Sequence, residues 1–238
     1  MSGGLKLDQI IFTGRTYEEY IRMFHLSAVD VAQRSFFVCP AGASSFPAVA
    51  TRNGGRVIAG DIVFGESRED IEARGRASLE TIRWGMHDVL DGYHWAEFGD
   101  AGGLIRSRGK ALETFLADYA AGLSEGRYIP CALPEIPLDA NSVDIVLSDH
   151  LLFTYPQFFD YDFHVQSIEA MLRIARMEVR LFPLIGSASS LKPPFFDAVV
   201  NHVRSLGCDI AVEIVPYHFQ HGANEMLRIR KREEEAGR

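Results

Sequence analysis

The apolar residues follow two periods along the chain, and the alternation between them predicts an α/β fold. Apolar runs at Ser35–Cys39 and Val57–Asp61 read as the first two strands. Val143–Ser148 is a near-continuous apolar strand, as expected in a parallel sheet covered on both faces. Tyr128–Cys131, Glu178–Leu184, Asp209–Val215 and Met226–Arg230 read as further strands. Helical spacing marks Thr16–Leu26, where Thr16 and Glu19 form a capping box and Tyr20, Met23, Phe24 and Tyr17 make the apolar stripe. Phe46–Asn53 is a short helix stopped by Gly54-Gly55. Phe163–Ala175 turns Ile168, Met171, Leu172 and Ala175 inward, and Phe195–Leu206 is a helix ended by Gly207.

The section from Ile62 to Arg127 has little strand character. Two helices are predicted there, Ser67–Leu90 and Leu104–Ala121, separated by an aromatic stretch with Tyr93, His94, Trp95 and Phe98. A crossover between two parallel strands needs far fewer residues. The surplus predicts a helical cap, over residues 62–127, above the ligand edge of the sheet. Residues 1–30 form an N-terminal cap segment in the same reading, and the whole chain, 1–238, is one domain.

The chemistry begins where the first strand ends. Cys39-Pro-Ala-Gly-Ala-Ser-Ser-Phe46 is a turn of small residues, and Asp61 closes the second strand 19 positions after Gly42. A small-residue loop that meets a ligand backbone-first, followed by an acid for the ribose hydroxyls, is how a Rossmann-like protein starts to hold a nucleoside. Only Gly42 remains of the three glycines usual in such loops.

Composition narrows the class. The chain has 238 residues, 47% of them hydrophobic and 24% charged, with a net charge of −8. That balance argues against gripping nucleic acid phosphates or an anionic membrane. The short basic cluster Arg228, Arg230, Lys231 and Arg232 is followed at once by Glu233-Glu-Glu and reads as a solvated strand end. No apolar run reaches the length of a membrane span, and Met1-Ser-Gly-Gly-Leu-Lys-Leu-Asp has no signal-peptide core. The expected setting is cytoplasmic. Three isolated cysteines, Cys39, Cys131 and Cys208, make a disulfide framework or structural zinc unexpected. The eight histidines form no HExxH pair, so no metal site is expected.

Strand, small-residue turn, helix, strand, acid, and two adjacent closing strands together resemble the class I S-adenosylmethionine-dependent methyltransferases over Thr16 to Arg230. Arg15-Thr-Tyr-Glu-Glu-Tyr, Asn141-Ser-Val-Asp-Ile-Val-Leu-Ser-Asp-His, Asp162-Phe-His and Tyr217-His-Phe-Gln-His-Gly-Ala-Asn resemble a branch of small bacterial methyltransferase-like proteins. The resemblance implies a seven-stranded, mostly parallel sheet with the last strand antiparallel, helices on both faces, and S-adenosylmethionine across the carboxyl ends of the first strands. The family usually carries an acid at the position of Val38 and another near Cys131-Ala132; both are missing, and Pro40 and Ser44 replace two glycines. Backbone N–H groups around Gly42 are expected to meet the methionine carboxylate. The cofactor residues implied are Ala41, Gly42, Ala43, Asp61, Ile62, Ala132, Leu133 and Ser148, with S-adenosylhomocysteine as product.

Ser148-Asp149-His150 closes an apolar strand, where open α/β sheets place chemistry. Asp149 or His150 is the expected proton acceptor, the alternative being a capping Asp and a packed His. His164 lines the pocket or hydrogen-bonds within the core. Tyr217, Gln220 and Asn224 precede the final strand and are expected, with Tyr17, to form a substrate wall. Arg83, Arg106 and Arg108 hold an anion or lie on solvated helix faces. No Asn/Asp-Pro-Pro-Tyr motif is present, so methylation of nucleic-acid bases is not supported. The reading is methyl transfer to a small-molecule O, N or C nucleophile. Two alternatives stay open: a protein that binds the adenosyl ligand without transfer, and a dinucleotide enzyme. The oligomeric state is open.

Overall fold

The computed structural model describes residues 10–87 and 89–232. The first nine residues of the expected cap segment, Asp88 in the predicted helix Ser67–Leu90, and the acidic Glu233-Glu-Glu run lie outside the described residues.

Seven strands form one sheet in the order β3-β2-β1-β4-β5-β7-β6. The strands are β1 (Ser35–Val38), β2 (Arg56–Asp61), β3 (Tyr128–Pro130), β4 (Val143–Asp149), β5 (Ala175–Phe182), β6 (Asp209–Ile214) and β7 (Glu225–Arg230). β1 through β5 pair in parallel, and β7 runs antiparallel to both β5 and β6. The expected seven-stranded sheet with an antiparallel last strand is therefore present. Because β6 is parallel to β1–β5, the connection into β7 emerges at the same edge as the carboxyl ends of β1–β4.

The period of two divides the core between the sheet faces. Phe36 and Val38 belong to one apolar cluster with Tyr20, Phe46 and Phe115. Phe37 and Val146 belong to the other, with Ile168, Met171 and Val199. Each such buried side chain contributes about 1.5–3 kcal/mol, and a strand buried on both faces has no polar positions to spare.

The helices are α1 (Tyr17–Met23), α2 (Ala28–Gln33), α3 (Phe46–Arg52), α4 (Arg68–Met86), α5 (Ala101–Ser124), α6 (Tyr161–Ile174) and α7 (Phe196–Ser205). The Thr16–Glu19 capping box forms at α1. α2 escaped the periodicity because only Val31 of its six residues is buried; a second capping box, Ser27 with Asp30, starts it. α5 begins earlier than the pattern predicts, since Asp100 caps Ala101-Gly-Gly, a stretch of poor helix formers. α6 likewise starts at its Asp160 cap. β5 ends at Phe182, because Pro183 has no N–H to continue the ladder although the apolar run goes on to Leu184.

The long 62–127 connection contains two kinds of helix. α5 buries Leu112, Phe115, Leu116 and Tyr119 and packs on α3 and β3, as the crossover helix between β2 and β3. α4 is the surplus: it packs on α5 and turns Ala73, Ala77, Ser78 and Ile82 to the cavity described next.

Candidate functional site at the carboxyl edge of the sheet

A cavity of about 830 Å³ lies over the carboxyl ends of β1–β4. Its floor carries the β1 loop (Cys39 to Gly42), the β2 end (Asp61 and Ile62), Ala132 and Leu133 after β3, and Asp149-His150 at the end of β4.

The β1 loop is held by its own hydrogen bonds. Ala41 N–H donates to Gly60 O at 2.9 Å, Ser44 N–H to Ala41 O at 3.2 Å, and Ser45 N–H to Arg15 O at 3.0 Å. Gly42 N–H donates to Asp61 Oδ2 at 2.9 Å. Gly42 has φ +52°, and a Cβ there would stand 2.2 Å from Thr13 O. The glycine is therefore required by a positive φ and by the close approach of the arm Thr13–Arg15. Of the N–H groups around Gly42 expected to meet a carboxylate, those of Ala41, Gly42, Ser44 and Ser45 already donate within the protein, and Ala43 N–H is not among them.

Asp61 ties this loop to β2. Its Oδ1 also accepts from Val63 N–H at 3.3 Å. Burial raises its pKa, and the backbone N–H groups of Gly42 and Val63 only partly offset this. A carboxylate has further lone pairs beyond these bonds, and Asp61 lines the cavity. Cys39 and Cys131 place their Sγ atoms 3.6 Å apart beside it.

Asp149 and His150 form the second polar centre. His150 Nδ1 lies 3.2 Å from Asp149 Oδ2, and the Tyr20 hydroxyl donates to Asp149 Oδ1. Arg15 Nη1 lies 3.8 Å from Asp149 Oδ2. Burial opposes the Asp149 charge, but the His150 hydrogen bond and Arg15 outweigh it and hold its pKa below the usual carboxylate range. Burial, reinforced by Arg15, pushes the His150 pKa down to about 4 against the opposing pull of Asp149. The imidazole is thus neutral at pH 7. With Nδ1–H donated to an ionised carboxylate, Nε2 carries the lone pair.

A third centre reaches the cavity wall through Arg108 and Tyr217. Arg108 Nη1 donates to both Glu19 oxygens at 2.8 and 2.7 Å, and the Tyr217 hydroxyl donates to Glu19 Oε1 at 2.9 Å. Burial disfavours the Glu19 charge, yet Arg108 lowers its pKa overall. Gln220 Nε2 donates to Gly186 O and Ser187 O, at 3.2 and 3.1 Å, in the cavity wall. Several polar atoms on lining residues are buried with no partner: Thr13 Oγ1, Arg15 Nε, Thr154 Oγ1 and Ser187 Oγ.

The structure thus brings together at the cavity Ala41, Gly42, Asp61, Ile62, Ala132, Leu133, Asp149, His150, Tyr217 and Gln220. Five expected residues lie elsewhere. Tyr17 stacks on Phe46 with ring centroids 5.7 Å apart. His164 is fully buried, accepting Phe153 N–H on Nε2 at 2.9 Å and donating from Nδ1 to Asp160 O at 2.6 Å; it is a core residue. Asn224 serves through its carbonyl, which accepts from Val215 N–H at 2.9 Å. Ser148 and Ala43 are buried behind the wall.

Arg108 corrects the solvated-face reading. It is 3% exposed, whereas the Arg83 and Arg106 side chains are solvated. Its signal was present: Arg108 sits at helical spacing between Leu104 and Leu112, a charge on an apolar stripe. Glu19, Tyr20 and Arg15 were also missed; Tyr20 meets Asp149 across 129 residues, beyond any local pattern. The aromatic residues Tyr93, Trp95 and Phe98 gather around Phe219, with centroids 4.6, 5.4 and 4.9 Å away. Among the described residues no group of three or more His, Cys, Asp or Glu is placed to hold a metal, and no helix is long and apolar enough to cross a membrane.

The strand order, with β7 antiparallel between β5 and β6, decides the fold. It is the Rossmann-like fold of the class I methyltransferases. No protein-family model matches the chain. The chain is 27% identical, over 228 residues, to an uncharacterized protein, MJ0045, of Methanocaldococcus jannaschii, covering 95% of this chain and 99% of that one. Among solved structures it is similar to a magnesium protoporphyrin IX methyltransferase of Synechocystis PCC 6803 with bound SAM, at 12% identity and TM-score 0.47, over 85% of this chain and 72% of the other. It is also similar to a putative S-adenosyl-L-methionine-dependent methyltransferase of Methanococcus maripaludis, at 12% identity and TM-score 0.44, over 92% and 85% of the two chains.

Proposed function

We propose that this protein is an S-adenosylmethionine-dependent methyltransferase acting on a small-molecule acceptor. The observation that carries the proposal is one cavity spanning Asp61 at the end of β2 and the Asp149–His150 pair at the end of β4. Its volume lies within the ~300–1,000 Å³ range of ligand sites. The residues fit the cofactor: Asp61 has lone pairs for ribose hydroxyls, and Ile62, Val63, Ala132 and Leu133 offer an apolar slot beside it.

S-adenosylmethionine, when bound, supplies a methyl group on an already activated sulfonium. The chain then needs to orient the acceptor, exclude water and take its proton. His150 Nε2 would accept the proton from an acceptor O–H or N–H. Asp149 holds the Nδ1–H and stabilises the imidazolium that results, and Tyr20 positions Asp149. A base within the cavity favours transfer over mere ligand binding. α4, Tyr93 and Phe219 would cover the acceptor end, so that residues 62–127 act partly as a cap.

The test is calorimetric titration with S-adenosylmethionine and S-adenosylhomocysteine. Wild type should bind both at micromolar levels, and Asp61→Ala, which removes the ribose acceptor and the Gly42 tether, should lose binding. A folded wild type that binds neither would sink the reading.

A further inference from the structure

We infer that Arg15, assisted by Thr13, anchors the carboxylate of the cofactor's amino-acid tail, in place of the loop N–H groups. This rests on the proposed reading of the cavity as an S-adenosylmethionine site. Three observations carry it.

The first is the shortage of loop donors: of the five N–H groups from Ala41 to Ser45, four are engaged. The N–H groups of Ala41, Gly42, Ser44 and Ser45 donate to Gly60 O, Asp61 Oδ2, Ala41 O and Arg15 O. A carboxylate reaching this loop would find only Ala43 N–H outside these bonds, one donor for two oxygens.

The second is position. The sheet order puts β1 between β2 and β4. A ligand whose ribose meets Asp61 on β2 and whose reacting end approaches His150 on β4 must pass over the end of β1. The arm Thr13–Arg15 lies there: Thr13 O occupies the space a Gly42 side chain would take, and Arg15 O accepts from Ser45 N–H and from the Ser44 hydroxyl at 3.2 Å.

The third is vacancy of partners. Arg15 Nε and Thr13 Oγ1 are buried, unpartnered and on cavity-lining residues. The Arg15 side chain is only 15% exposed, and its contact with Asp149 at 3.8 Å is an ion pair beyond hydrogen-bond length. A buried guanidinium N–H without an acceptor is costly. A carboxylate gives Arg15 its missing acceptor, and its second oxygen can take the Thr13 hydroxyl. The same step neutralises Arg15 without asking Asp149 to leave His150.

The experiment compares two ligands on three proteins by calorimetry. S-adenosylhomocysteine carries the amino-acid tail; 5′-methylthioadenosine lacks it. Wild type should bind S-adenosylhomocysteine the more tightly. Arg15→Gln should weaken S-adenosylhomocysteine about tenfold to a hundredfold, the worth of a charged hydrogen bond, and leave methylthioadenosine unchanged. Unchanged methylthioadenosine binding also certifies the fold of the variant. Arg15→Lys should recover part of the loss. Equal weakening of both ligands, or of neither, would overturn the role of Arg15. Equal binding of both ligands by wild type would overturn it too, while leaving the adenosyl site intact. Binding of neither by wild type would remove the underlying reading and the anchor with it.

Discussion

Two buried ion clusters sit on neighbouring strands and differ in one respect. In the middle of β5, Glu178 accepts from Arg180 Nε at 2.8 Å and Arg228 Nη2 at 3.2 Å on one oxygen, and from Arg228 Nε at 2.6 Å and Arg230 Nε at 3.4 Å on the other. Arg180 also donates to Phe24 O at 2.5 Å and so ties the end of α1 to the sheet. Every charge there has its partners. At the end of β4, Asp149 holds Tyr20 and His150, but Arg15 Nε, Thr13 Oγ1, Thr154 Oγ1 and Ser187 Oγ beside the same cavity have none. Glu178 lies four residues short of the cavity-lining Phe182, about 13 Å along the strand. A saturated buried network fixes a fold, because each member would be costly to expose alone. A network with open valences at a cavity wall has an unmet demand that a ligand can fill.

Substitutions should separate the two clusters. The largest effect is expected from His150→Gln: methyl transfer falls about 10²–10⁴-fold, the usual worth of a general base, with S-adenosylhomocysteine affinity unchanged. Rate measurements on wild type should be flat from pH 8 to pH 6. A base must be unprotonated to act, so the rate falls only as pH approaches about 4, where His150 gains its proton. A rate that drops already through pH 6.5 would place the base elsewhere. Arg180→Ala comes next. It removes one of the three arginine partners of Glu178 and the tie to Phe24 O, costing about 1.5–3 kcal/mol, which for this length lowers the unfolding midpoint by about 5–10 °C, while ligand affinity of the folded protein stays the same. The smallest effect is expected for Tyr20→Phe, which removes one hydrogen bond to Asp149. A rate loss of about tenfold, with the acid limb displaced, would identify Tyr20 as a positioning residue; a loss of stability alone would make it part of the core.

The elements that could be read from sequence are those whose causes are local. The Thr16–Glu19 box, the runs at β1, β2 and β4, and the acid closing β2 each depend on neighbours within a few residues. Asp61, Asp149 and His150 were legible because a strand end in a parallel sheet is a ligand edge. The arm over Gly42 was not legible, because the glycine's turn and its close approach to Thr13 leave the same trace as a ligand loop. For His164 the sequence left two readings open, and packing selects the core one: a histidine near a helix start can bond backbone groups through either ring nitrogen, and here it does so with both. Glu19 and Tyr217 meet across 198 residues, and Tyr17 turned to Phe46, by packing that only the tertiary fold decides.

The most direct test of the contrast between the clusters is a crystal structure of the protein with S-adenosylhomocysteine. The account predicts the ribose on Asp61, the tail carboxylate on Arg15, the sulfur facing His150, and Glu178 with its arginines unmoved. Ligand density away from the β1–β4 edge, or a tail carboxylate far from Arg15 with its Nε still unpartnered, would contradict it.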